Sequence, residues 1–303
     1  MDEKLAIGID LGATNIKGVL VNRQGDILQK EICATNEGGK QDYIWKEAVT
    51  KIVEKLKQKI AYKITAIGLS APGIPNEAHN CIAYMPGRLQ GLENFLWSDF
   101  LQEEVKIIND ANAALLAEAY FGAGKGHRNI VMLTLGTGIG GGILINGSLY
   151  QGFGQMAGHL GHITMDAYNQ DQDITGMPGS LEDAIGNATI AKRSYGRFPS
   201  TKTLVEAYQK GDTLATYLWL DAVRKLAIGL SSIANALSPE MIILGGGMVK
   251  AKQALMQPLT DFMDLYEWRP GGKQTEIAIA HYQDFAGAIG AAVFALKHQL
   301  ILK

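Results

Sequence analysis

Cysteine is scarce in this 303-residue chain. Cys33 and Cys81 stand alone, too few for a disulfide framework and without zinc-ligand spacing. No apolar run reaches the roughly 18 residues that a membrane span needs. The net charge of -2 leaves no excess of either sign to point to nucleic acid or an anionic membrane as a partner. The first strand pattern begins at Lys4, so neither a signal peptide nor a DNA-binding module is expected ahead of the fold. Together these absences predict a reduced, cytoplasmic setting. What remains, 47% apolar and 19% charged residues, is an ordinary globular composition on a chain long enough for two cores.

Glycine is not scarce, and one glycine-rich turn occurs twice. Asp10-Leu11-Gly12-Ala13-Thr14 follows the apolar run from Leu5 to Ile9 and leads into Val19-Leu20-Val21-Asn22. Thr134-Leu135-Gly136-Thr137-Gly138 follows Ile130 to Leu133 and leads into Ile143-Leu144-Ile145-Asn146. The copies align without a gap at an offset of 124 and share Leu, Gly, Gly, Leu and Asn. A strand–turn–strand whose glycines expose backbone N–H groups suits a polyphosphate, and two copies could hold it from both sides. Two unrelated hairpins are the plainer alternative; the identities outside the glycines argue against it.

The rest of the chain alternates strands and helices, which predicts an α/β fold of two similar lobes around a central cleft. Residues 4–34 read as three strands, and Tyr43 to Ile60 has helical apolar spacing. Strands are expected at Ile64 to Leu69 and Val105 to Ile108, then a helix from Ala111 to Phe121. The glycine-rich break from Gly122 to Arg128 sets the boundary, giving lobes of 1–122 and 123–285, with a C-terminal helix, 286–303, packing back on the first. In the second lobe, Gly147 to Gly179 is too irregular for a core element. Helices are expected at Ser180 to Tyr195, Thr201 to Lys210 and Asp212 to Leu237, with strands at Met241 to Leu244 and Glu276 to Ala280. Gly245-Gly246-Gly247 is expected to open a helix.

Five motifs occur in order: Ile9 to Asn15, Ser70-Ala71-Pro72-Gly73, Asn109 to Ala113, Leu133 to Gly142 and Leu244 to Gly247. Across essentially its whole length the chain resembles the ROK family, which groups sugar kinases with sugar-responsive repressors on the actin-like (ribonuclease H-like) ATPase fold. Repressors of that family carry an extra N-terminal DNA-binding segment, so the resemblance implies the kinase branch, glucokinase-like. It also implies ATP and Mg²⁺ as cofactors, a small sugar as substrate and no nucleic-acid or membrane partner. Homodimers are frequent in the family, though no feature of this sequence shows one.

Phosphoryl transfer asks the protein chiefly to position reactants and offset developing charge. The ATP-binding set expected is Asp10, Gly12, Ala13, Thr14, Asn15 and Lys17, then Gly136, Thr137 and Gly138, then Gly245, Gly246 and Gly247 at the adenosine. Asp10, ending a buried strand, suits hydrated Mg²⁺. Lys17 either reaches a phosphate or points into solvent. Asp110 is the candidate general base that takes the acceptor proton; its plainer role is a helix N-cap. In the resembled kinases Asn109 and Asp110 bind the sugar, and Gly73 is expected beside them.

One stretch departs from the family. The usual Gly-Glu-x-Gly-His reads Gly158-His159-Leu160-Gly161-His162 here, so His159 replaces a sugar-contacting Glu while His162 is kept. The cysteines that complete the family's zinc site are missing from Gly176-Met177-Pro178-Gly179-Ser180-Leu181-Glu182, although Glu182, the second sugar carboxylate, remains. Without thiolates no structural zinc is expected. A metal on the two histidines with Asp166, Asp171 or Asp173 is the alternative. A donor-capable imidazole at His159 alters hydroxyl recognition. Two rivals to the ATP-dependent kinase follow: a non-catalytic sugar- or nucleotide-sensing protein, and a kinase that uses polyphosphate.

Overall fold

The computed structural model describes residues 4–35, 44–58, 64–85, 87 and 89–301. The chain divides into two compact units. The first comprises Met1–Gly126, Ser148–Ala157 and His281–Lys303, and the second His127–Gly147 and Gly158–Ala280. The boundary thus lies close to the glycine-rich break, but residues 148–157 and 281–285 group with the first unit.

The first unit opens with β1 (Leu5–Leu11), β2 (Asn15–Val21) and β3 (Ile27–Ala34), followed by α1 (Ile44–Gln58). Tyr43, Lys59 and Ile60, ends of the expected helix, lie outside the described residues. Then come β4 (Ile64–Ala71), the short pair β5 (Ile74–Pro75) and β6 (Ile82–Tyr84), α2 (Trp97–Leu101), β7 (Val105–Asn109) and α3 (Asp110–Phe121). The sheet order is β3-β2-β1-β4-β7. The first hairpin is antiparallel, whereas β1, β4 and β7 run parallel. On α1, Trp45, Val49, Ile52, Val53 and Leu56 are buried at helical spacing against the core made by Leu5, Ile7, Ile9 and Leu20.

The C-terminal helix, Ala286–Ile301, packs on β1, β4 and α3. Its approach depends on glycine. A Cβ on Gly8 would lie 1.8 Å from the Ala288 carbonyl oxygen, one on Gly68 would lie 1.9 Å from that of Ala291, and one on Gly290 would lie 1.6 Å from that of Ala113. Gly8 and Gly68 are register partners, so one bare spot on the sheet seats the helix backbone.

In the second unit, β8 (Ile130–Leu135), β9 (Ile139–Ile145) and the edge strand β10 (Ser148–Leu149) precede α4 (Leu181–Ile185) and α5 (Ile190–Arg193). Next come α6 (Thr201–Gln209), α7 (Thr213–Leu237), β11 (Met241–Gly245), α8 (Gln253–Tyr266) and β12 (Glu276–Ile279). The order β10-β9-β8-β11-β12 repeats that of the first sheet, with β8 antiparallel to β9 and parallel to β11, and β11 parallel to β12. Leu226, Leu230, Ile233, Leu255 and Leu259 join the strand residues in its core. Pro258 cannot donate to the Ala254 carbonyl one turn back, and the Trp219 indole N–H fills that place at 2.8 Å.

Three expectations need correction. The helix expected over Ser180 to Tyr195 is two helices, separated by Gly186 and a 3-10 turn at Asn187–Thr189. The break brings the chain against the second glycine turn, where Asn187 and Ala188 N–H groups donate to the Gly136 and Thr137 carbonyls, both at 3.0 Å. The triple glycine opens a 3-10 turn, Gly247–Ala251, and α8 starts only after Lys252 at φ +51°. Finally, the hairpins do not align without a gap. Leu11 pairs Ile16 across four turn residues, whereas Leu135 pairs Ile139 across three. Ile16 therefore corresponds to Ile139 and Gly18 to Gly141; the matches of Leu20 with Leu144 and Asn22 with Asn146 are coincidental, because a one-residue slip reverses every face.

Candidate active site

In the first unit, Asp10, Ser70 and Asn109 end three adjacent parallel strands, with Asp10 paired to Ser70 and Asn109 to Ala71. The carboxyl ends of such strands are where α/β sheets bind ligands. The Ser70 hydroxyl donates to Asp10 Oδ1 at 2.8 Å. Protein surrounds the Asp10 carboxyl densely although part of the residue stays exposed. Burial, with a contribution from the Asp110 charge, pushes its pKa up to about 6 against the opposing Ser70 bond and Lys17. Lys17, paired with Asp10 on β2, holds its ammonium 4.0 Å from the exposed Asp284 carboxylate. The first turn of the C-terminal helix closes on the same carboxylate: a Cβ on Gly287 would lie 2.6 Å from Asp10 Oδ1.

The N-cap of α3 is Asn109, and Asp110 Oδ1 shares one of its amides, accepting the Ala111 N–H at 2.8 Å. Asn109 Oδ1 accepts the N–H groups of Ala111 and Asn112 at 3.0 and 3.1 Å, and its Nδ2 donates to the Gly73 carbonyl at 3.1 Å. Asp110 is the exposed first residue of α3, where the helix dipole favours a carboxylate. Gly73 sits at φ +100°, and a Cβ there would meet the Tyr84 carbonyl at 2.6 Å.

Both glycine turns are braced from behind. Thr35 donates its N–H to the Thr14 carbonyl at 2.9 Å and its hydroxyl to the Gly12 carbonyl at 2.7 Å. Asn187 and Ala188 do the same for the second turn. In a trans peptide the N–H points opposite to the C=O. Tying back the Gly12, Gly136 and Thr137 carbonyls therefore aims the amides of Ala13, Thr137 and Gly138 outward. The amides of Gly12 and Gly136, expected in the cradle, are instead spent closing the turns, onto the Asn15 and Gly138 carbonyls at 3.2 and 3.0 Å.

In the second unit the turn borders a cavity of about 780 Å³, lined by Gly136, Thr137, Thr201, Glu206, Gly247 and Lys250 among others. Of the third glycine loop, Gly246 is constrained at φ +86° with the Leu135 backbone 2.5 Å from any Cβ, while Gly247 faces open space. The contribution of α6 to this wall went unrecognised in the sequence. Its signal was a polar stripe, Lys202, Glu206 and Gln209, beside the buried Thr201 and Val205, which also line the wall, while Leu204 turns into the core.

The remaining expected residues also gather in the second unit. His159 and His162 stack with ring centroids 6.2 Å apart. Glu182 is buried under the second turn: its Oε2 accepts the Ile139 N–H at 2.7 Å, and its Oε1 is buried without a hydrogen-bond partner. Burial raises its pKa, with Asp173 adding to the rise, against the Ile139 bond and His162. Among the described residues no group of three or more His, Cys, Asp or Glu side chains is placed to hold a metal ion.

The ROK family pattern matches residues 6–298. The chain is 31% identical to a glucokinase of Halalkalibacterium halodurans, over 96% of this chain and 94% of that one. It is also 31% identical to a glucokinase of Thermotoga maritima, over 94% and 95%. A solved ROK hexokinase from Thermus thermophilus matches with a TM-score of 0.86 at 29% identity, over 98% of this chain and 99% of its own. The paired five-stranded mixed sheets are those of the actin-like fold, and the chain belongs to the ROK family as a glucokinase-like member.

Proposed function

We propose that the chain, a sugar kinase of the ROK family, transfers the terminal phosphoryl group of ATP to a hydroxyl of a hexose or related sugar. The observation that carries this reading is the division of labour at the start of α3. Asn109 is the N-cap, so Asp110, whose Oδ1 also accepts the Ala111 N–H at 2.8 Å, is an exposed carboxylate on the first residue of the helix rather than its cap. It takes the acceptor's proton as the hydroxyl oxygen bonds to the γ-phosphorus and the bond to the β,γ-bridging oxygen breaks, releasing ADP. Asn109, its amide shared with Gly73, orients the sugar beside it.

Asp10 fits a hydrated Mg²⁺, since a crowded carboxylate facing a second negative group gains most from a nearby dication. When bound, that ion neutralises charge on the phosphates. The outward amides of Ala13, Thr137 and Gly138, with the Thr14 and Thr137 hydroxyls, suit phosphate oxygens. Lys17 holds positive charge at the same strand ends, and Asn15 closes the first turn through its carbonyl. The cavity bordered by Gly136, Thr137 and Gly247 has the volume of a small-molecule site. It therefore favours a nucleoside triphosphate over polyphosphate.

On the acceptor side, His159, His162 and Glu182 recognise hydroxyls. Glucose, the substrate in the relatives' names, is the first acceptor to try. His159 donates where an acidic relative accepts, so epimers and amino sugars belong in the panel. Coupled ADP release across that panel tests the reading. Asp110→Asn should lower turnover by about 10³-fold with an unchanged circular dichroism spectrum. Near-normal turnover in that variant removes the assignment, and sugar binding with no ADP release would favour the sensing protein.

A further inference from the structure

The irregular segment between the second hairpin and α4 is arranged around one carboxylate. The Asp173 side chain is wholly buried. Its Oδ1 accepts the Thr175 N–H at 2.8 Å, the Thr175 hydroxyl at 2.7 Å and the Met177 N–H at 3.0 Å. Its Oδ2 accepts the Ser180 hydroxyl at 2.7 Å and lies 3.3 Å from His162 Nδ1. Burial alone would raise the Asp173 pKa, but the donors from Ser180, Thr175 and Met177 outweigh it and hold the group at about 2. The network does not stop there. Ser180 Oγ accepts the Asp183 N–H at 3.0 Å as the N-cap of α4, the helix that carries Glu182.

A carboxylate only accepts, so the His162 nitrogen facing it carries the proton, leaving Nε2 as an acceptor. We propose that Asp173 is a positioning residue for acceptor recognition: it fixes His162 as the Nδ1–H tautomer and, through Ser180, sets the start of α4. His162 Nε2 and Glu182 Oε1 then accept hydrogen bonds from sugar hydroxyls. The proposal rests on the kinase reading above in taking these two residues as sugar contacts. It makes one side chain of the chain itself, not a metal, the anchor of the loop.

Asp173→Asn reverses the polarity at one point, because an amide nitrogen at Oδ2 donates. The acceptor KM should rise about ten-fold or more, the usual cost of losing a group that orients a ligating histidine. The ATP KM should stay within about two-fold, since the nucleotide cavity is lined by other residues. Nitrogen-15 NMR of His162 at pH 8 should show the Nδ1–H tautomer in the wild type and its loss in the variant. A wild-type Nε2–H tautomer overturns the proposal without needing any variant to fold. An unchanged acceptor KM in Asp173→Asn overturns it too. So does a rise in the wild-type acceptor KM after EDTA dialysis and return of Mg²⁺, if zinc then reverses it. Absence of turnover with every sugar would sink the kinase reading instead. Sugar binding by calorimetry then replaces KM, with the same ten-fold weakening expected.

Discussion

The two units share a strand order and differ in what they place on it. In the first sheet Gly8 pairs Gly68, and the C-terminal helix rests its backbone on that bare spot. At the corresponding step of the second sheet Met132 pairs Ile243, two buried side chains where the first sheet has none. Two residues further on, Asp10 and Ser70 correspond to Thr134 and Gly245. Tight packing thus accompanies a crowded carboxylate at the strand ends of the first unit. In the second, glycines and an open cavity occupy the same level. A duplicated scaffold has been divided into a charge-bearing copy and a space-bearing copy.

The comparison breaks most visibly at the glycine pair. Gly68→Val would drive a side chain into the Ala291 carbonyl and should cost more than about 3 kcal/mol, seen as loss of soluble protein or of the unfolding transition. Ile243→Ala, at the matching step of the second sheet, should leave a cavity worth about 2–4 kcal/mol and a folded protein. Gly247→Val sharpens the other half. Nothing lies within 4 Å of its Cβ position, so the fold should hold while the ATP KM rises about ten-fold as the side chain fills the cavity.

Asp10→Asn tests whether charge in the first unit is carried at a cost. A pKa raised to about 6 means a contribution to stability that is complete below pH 4 and lost as pH rises through 6. In the metal-free protein the variant should therefore gain on the wild type at pH 8 but not at pH 4. Allowing for residual solvent, the gain is on the order of 1–2 kcal/mol, a few degrees in Tm, and phosphorylation should be lost. The smallest effect separates two glycines of one turn. Gly136→Ala meets nothing closer than 3.8 Å and should shift stability by under about 0.5 kcal/mol. Gly138→Ala would press on Glu182 Oε2 at 2.3 Å and should raise the acceptor KM measurably.

Much of this division was legible in residues, less of it in their pairing. Leu11-Gly12 and Leu135-Gly136 announced the duplicated hairpin, and apolar spacing placed α6 and α7 to within a residue. The gapless alignment failed past the turns because periodicity cannot count turn residues; only the partners of Leu11 and Leu135 show that one turn is shorter. Asp110 could be read as a cap because Asp and Asn are both good caps, and the choice between neighbours depends on which carboxamide or carboxylate faces the Ala111 and Asn112 amides. The helix expected over Ser180 to Tyr195 runs straight through Gly186. Its reason for breaking the helix, the bracing of Gly136 and Thr137, lies in a hairpin some fifty positions earlier in the chain. Asp173 was one of three aspartates weighed as metal ligands; its role is fixed by donors that converge on it from Thr175, Met177 and Ser180.

The helix that seats on Gly8 and Gly68 is synthesised after every strand of both sheets. Until it emerges, the sheet synthesised first has no cover over its glycine pair, while the second unit already has all its strands and helices. The half of the molecule made earliest is therefore the half completed latest, and a nascent chain stalled before Ala286 would expose that surface to chaperones.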